Sequence, residues 1–121
     1  MMGADKRKRH MDIYVRFLEL IESIRDLPTL EPLEKKIFDH ITMALHAEDS
    51  LSVTDVTGDA SLGSPVTVHL RLKSLVAKGW IALSETEDGR RKQINLTEAA
   101  QQHLVKVSQC LIKAADSGRS R

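Results

Sequence analysis

The chain has 121 residues, 41% hydrophobic and 29% charged, with a net charge of +1, which fits one soluble domain with a modest core. Its single cysteine, Cys110, excludes an intrachain disulfide and a cysteine-based zinc site and points to a reducing, cytoplasmic setting. No apolar run approaches the ~18 residues of a membrane span, and none follows the basic start as in a signal peptide.

Residues 1–10 hold Lys6-Arg7-Lys8-Arg9 and little else, and read as a disordered basic tail. One folded domain, 11–116, is expected after it. Ile13, Phe17, Leu20, Ile24 and Leu27 recur as a heptad seam, widened by Tyr14, Leu18 and Ile21, which predicts a helix over 12–27 that Pro28 ends. A second amphipathic helix restarts within 29–34. It turns Leu33, Ile37, Ile41 and Leu45 inward and Glu34, Lys35, Lys36, Asp39 and His40 outward. A short helix follows over 51–58. Ser52 and Asp55 have capping-box spacing there, and Val53 and Val56 face inward.

Residues 59–63 then turn the chain into a longer helix over 64–79. Ser64 is its cap, Pro65 suits its first position, and Gly79 stands where a C-terminal glycine is expected. Two short helices joined in this way are a helix-turn-helix pattern. Ile81–Thr86 and Lys92–Leu96 alternate as half-buried strands around an Asp88-Gly89 turn signal, giving a hairpin, or wing, over 81–96. Thr97 caps a last helix over 97–115. There Ala100, Leu104, Val107, Leu111 and Ala114 repeat the heptad spacing, and residues 117–121 should fray. The fold class is therefore mainly α with a small antiparallel β-hairpin: a winged helix-turn-helix, its DNA-binding lobe over about 30–97, with dimerisation helices at both ends.

At 3.6 residues per turn Val68, Leu72, Leu75 and Val76 share the core side of the 64–79 helix. Val66, His69, Leu70 and Lys73 fall opposite, with Thr67 and Arg71 on the flanks. Such a face can enter a major groove: Lys73 and Arg71 can bond phosphate or guanine, Ser64 and Thr67 phosphate or base edges, and Val66 and Leu70 can meet thymine methyls. Arg90, Arg91 and Lys92 crowd the hairpin tip and give 64–92 a net charge of +3. An arginine on so narrow a tip is shaped for a minor groove, and Asp88 can orient Arg90.

Leu75-Val76-Ala77-Lys78-Gly79-Trp80-Ile81, then Asp88-Gly89-Arg90-Arg91, then Ile94-Asn95-Leu96-Thr97-Glu98-Ala99 resemble the MarR (multiple-antibiotic-resistance regulator) family of bacterial transcription factors, over residues 29 to about 111. The resemblance implies a homodimer that binds double-stranded DNA at a pseudo-palindromic operator and usually represses transcription. Arg90 would enter the minor groove, and Ile13, Phe17, Leu20, Ile24, Leu27, Leu104, Val107 and Leu111 would build the dimer interface. Many relatives bind a small-molecule effector between the dimer region and the DNA-binding lobe. Leu70 stands where relatives often carry a polar or basic base-reading residue. The chain lacks a phosphate loop, a paired nucleophile and base, or a metalloprotease motif, so no enzyme is expected. Its histidines show no i, i+4 pairing, so no metal or other cofactor is expected either. The rival reading is a winged-helix module that binds another protein, for which exposed Val66 and Leu70 are suited.

Overall fold

Ser52, Ser64 and Thr97 each start a helix, as their side-chain oxygens require. The computed structural model describes residues 2–48, 50–86, 89 and 91–117. Their order is α1 (Met2–Ile21), α2 (Pro32–Ala47), α3 (Val53–Thr57), a 3-10 turn (Ala60–Leu62), α4 (Pro65–Ala77), β1 (Ile81–Glu85), β2 (Lys92–Leu96) and α5 (Glu98–Ser117). The chain divides into a central unit, 27–101, and a terminal unit built from the segments up to Asp26 and from Gln102 onward.

In the central unit the core is aliphatic around one aromatic pair: Ile37, Phe38 and Ile41 of α2, Val56 of α3, Leu62, and Val68, Leu72 and Leu75 of α4 are buried with Trp80, Ile81 and Ile94. Trp80 meets Phe38 edge to face at 4.9 Å, and its indole N–H donates to the Pro28 carbonyl at 3.0 Å, so its one polar atom is satisfied inside. At α3 the capping box forms as expected, with the Ser52 hydroxyl accepting from the Asp55 amide and the Asp55 carboxylate from the Ser52 amide. Ser64 caps α4 by accepting from the Thr67 amide. The far end closes as a Schellman turn: the Gly79 amide donates to Val76, and the Trp80 amide reaches back to Leu75. Gly79 takes φ +84°, a conformation that costs a side chain strain.

The hairpin pairs antiparallel from Ile81 opposite Leu96 to Glu85 opposite Lys92. The Ile94 amide also donates to the Leu51 carbonyl at 2.8 Å, and Ser52 bridges to Gln93, so the chain before α3 adds a short edge to the wing. The expected alternation fails in β1, where only Ile81 is buried and Leu83 is open to solvent. Only the root of that strand reaches the core beside Trp80. Two further expectations are corrected. Val76, placed on the core side of α4, is 37% exposed, because it lies at the edge of the stripe made by Val68, Leu72 and Leu75. Glu34, placed outward on α2, is 1% exposed, because Ser74 and Lys78 of the α4 flank bond its carboxylate.

In the terminal unit α1 begins at Met2, where a disordered tail was expected over 1–10. The basic run has high helix propensity, no breaker stands between Ala4 and Pro28, and Lys8 pairs with Asp12 at 3.6 Å. The helix ends at Ile21 rather than near Leu27. The Ser23 amide and hydroxyl both take the Leu20 carbonyl, and the Ile24 amide takes that of Ile21, which tightens the last turn and stops it. Ile24 and Leu27 therefore lie beyond the helix. Asp26 is bonded by His103 at 2.9 Å and by Lys106 at 3.3 Å, both on α5. Burial alone would raise the Asp26 carboxyl, but those two partners hold it below the usual carboxylate range. Thr97 caps α5 as expected, accepting from the Ala100 amide while its hydroxyl donates to the Gly79 carbonyl at 2.6 Å. Of residues 117–121, expected to fray, Ser117 is the last residue of α5, and 118–121 lie outside the described residues.

Candidate nucleic-acid interface

The turn between α3 and α4 is held by its own polar groups: the Asp59 carboxylate accepts from the Ser61 amide and hydroxyl, and Lys36 donates to the Ser61 carbonyl. This presents α4 with Val68, Leu72 and Leu75 inward, as its periodicity requires. On the opposite side Val66 is 72% exposed and Leu70 58%, and His69 and Lys73 are exposed beside them. These four expected contact residues share one solvent-facing stripe.

The flanks differ from expectation. At the start of α4 the Ser64 hydroxyl donates to that of Thr67 at 2.9 Å, so the two groups hold each other and the helix end. The Arg71 guanidinium is turned away from the outward stripe and pairs with Glu31 at 3.1 Å. Its Nε is buried, while the side chain as a whole stays partly exposed.

On the wing, Arg91 and Lys92 are exposed. Lys92 and Leu83 face Val53, His69, Leu72, Lys73 and Val76 across a recess of about 230 Å³, so the wing and the outward stripe of α4 flank one cleft with a cationic rim. Arg91 lies close enough to α3 to act on Asp55, whose carboxyl is held below its usual range first by the Ser52 amide and hydroxyl and then by the Arg91 charge. Gly89 adopts φ +69° in the turn signalled by Asp88-Gly89. Asp88 and Arg90, the expected minor-groove pair, lie outside the described residues.

Of the expected interface residues, Ile13, Phe17 and Leu20 on α1 and Leu104 and Val107 on α5 are half-buried, and Leu111 is exposed. A second apolar face went unnoticed on each helix. Met11 and Val15, beside Tyr14 and Leu18, stand open on α1, as do Val105 and Ile112 on α5. Their spacings of three, four and seven are legible in the sequence, but the heptad seam follows only one stripe of helices that are apolar on two.

Glu34, whose pattern on α2 reads as outward, lies in a buried polar site. Its carboxylate accepts from the Glu31 amide at 2.8 Å, from Lys78 Nζ at 2.6 Å and from the Ser74 hydroxyl. Burial by itself would raise its pKa. The bonds from Lys78, Ser74 and Glu31, with the charge of Lys78, outweigh that and bring it down from 4.5 to about 2. The one sequence signal was the spacing of Glu31 and Glu34, which is that of a capping box, and the half of it in which the N3 carboxylate accepts from the Glu31 amide is formed.

A helix-turn-helix followed by a two-stranded wing and flanked by long terminal helices defines the MarR-like winged-helix fold. Solved structures share it over nearly the whole chain. The YusO protein from Bacillus subtilis superposes with a TM-score of 0.59 at 18% identity, covering 96% of this chain and 77% of that one. The transcriptional regulator Tm0710 from Thermotoga maritima gives 0.60 at 16% identity, with 96% and 76% covered. The transcriptional repressor CouR, solved on a 23-mer DNA duplex, gives 0.53 at 14% identity, with 97% and 77% covered. No family model and no curated protein sequence matches the chain. Among the described residues no helix is long and apolar enough to cross a membrane.

Proposed function

We propose that this chain is a cytoplasmic DNA-binding transcriptional regulator, a repressor that binds a pseudo-palindromic operator as a homodimer. One observation carries the reading: the outward stripe of α4 and the basic wing flank the same cleft, so a major-groove reader and a backbone or minor-groove contact sit side by side on one surface. In this reading His69 and Lys73 offer hydrogen-bond donors to base edges or phosphate, Val66 and Leu70 lie against thymine methyls, and Arg91 and Lys92 hold phosphates. Arg90 at the wing tip enters the minor groove with Asp88 orienting it, a role that rests on the sequence. The apolar faces left open on α1 and α5 support a second copy as the partner of the terminal unit.

The exposure of Val66 and Leu70 favours a second reading, in which the same face docks on another protein. Salt separates the two. Selecting bound duplexes from a random pool and titrating the selected one across ionic strength should give a palindrome and a steep fall in affinity with salt; no enriched sequence and a flat response would favour the protein partner. Within that assay Lys92→Ala should weaken all duplexes alike and reduce the salt slope by about one. Arg90→Ala should instead weaken most those duplexes with a narrow A·T minor groove beside the half-site.

A further inference from the structure

Three side chains on one flank of α4, Arg71, Ser74 and Lys78, are all engaged by the start of α2. Arg71 pairs with Glu31, Ser74 and Lys78 both donate to Glu34, and Lys78 also donates to the Thr29 carbonyl at 3.1 Å. Spacings of three and four put them on one stripe, about a quarter turn from the core stripe of Val68, Leu72 and Leu75 and on the other side from His69 and Lys73. We propose that Glu31 and Glu34 are positioning residues that set the roll of α4 about its own axis and so aim the outward stripe at DNA.

The apolar contacts that hold the core stripe are short-ranged but not directional, so they restrain distance from α2 better than rotation. Hydrogen bonds to a buried carboxylate restrain both, because each weakens steeply off its angle. Side-chain tips lie about 5–6 Å from a helix axis, so a roll of about 10° moves them by about 1 Å. A side chain reading a base edge has a window of only a few tenths of an ångström. A polar clamp on the flank thus has little to do with holding the helix on and much to do with holding it at one angle. A buried ion pair is an uneconomical way to gain stability alone, since apolar residues of like volume do as well or better.

The inference rests on α4 being the DNA reader. Its test replaces the buried part of the clamp with apolar groups of similar size, Glu34→Met, Ser74→Ala and Lys78→Met together, and compares it with wild type on the selected duplex and on single-base variants of that duplex. The triple variant should unfold in urea at or above the wild-type midpoint and keep the wild-type salt slope. Its discrimination between the selected duplex and the variants should fall about tenfold. Ser74→Ala alone removes one directional bond and keeps the ion pair, and should lower discrimination about threefold. Undiminished discrimination in a folded triple variant, or in Ser74→Ala should the triple not fold, would overturn the positioning role while leaving the DNA reading intact. A wild-type chain that enriches no duplex would remove the DNA reading and the clamp's purpose with it.

Discussion

Removing Lys78 alone should have a different effect from removing the whole clamp, and the size of that effect follows from the Glu34 site. In Lys78→Met the carboxylate stays buried and keeps only the Ser74 hydroxyl and the Glu31 amide, while the Thr29 carbonyl loses its donor. Breaking a buried pair on one side costs about 3–5 kcal/mol. The proton gives the scale of the whole site, Ser74 and Glu31 included. Glu34 titrates at about 2 in the folded chain and at 4.5 when unperturbed, a difference of roughly 3 kcal/mol in favour of the folded state at neutral pH. The folded value is the depressed one, so this stability is fully present above 4.5 and is lost as pH falls from 4.5 toward 2. Without Lys78 the folded value rises toward the unfolded one and that pH dependence flattens. Urea unfolding followed by circular dichroism should therefore show a gap of about 3–5 kcal/mol between wild type and Lys78→Met at neutral pH, narrowing steadily below pH 4.5. Asp26, Asp55 and Asp59 are also held low, but they are common to both proteins and cancel in the difference. A gap that stays constant from neutral pH down to about 2.5, within the titration window of Glu34, would refute the reasoning.

Leu75 is fully buried and Leu70 open, so Leu75→Ala should cost roughly 2–5 kcal/mol and Leu70→Ala less than about 0.5 kcal/mol in the same unfolding assay; equal losses would mean a different helix phase. The wild-type chain should sediment as a dimer at micromolar concentration. Val15→Asp with Ile112→Asp, both exposed in one copy, should give a folded monomer with unchanged helix content. A double variant that remains dimeric would place the interface elsewhere.

What this sequence determined by itself was local. Ser52, Ser64 and Thr97 cap helices because a side-chain oxygen three residues from a free amide needs nothing beyond its own turn. Gly79 ends α4 because its left-handed backbone is costly for other residues. The inward face of α4 was legible from periodicity, since three apolar residues repeating every turn must meet a core. What only the tertiary structure decided depends on partners distant in sequence. Glu34 is polar and followed by two lysines, so its pattern reads as solvent-facing; it is buried because Ser74 and Lys78, 40 and 44 residues away, supply the bonds that offset its desolvation. Arg71 reads as a free outward cation, and only the fold shows that it pairs with Glu31 across the same gap. Leu51 and Ser52 join the wing only because Gln93 and Ile94 come to lie beside them. The seam through Ile24 to Leu27 continued on paper after α1 had ended. Apolar spacing records which residues want burial, and it does not record whether a helix or an irregular segment delivers them there.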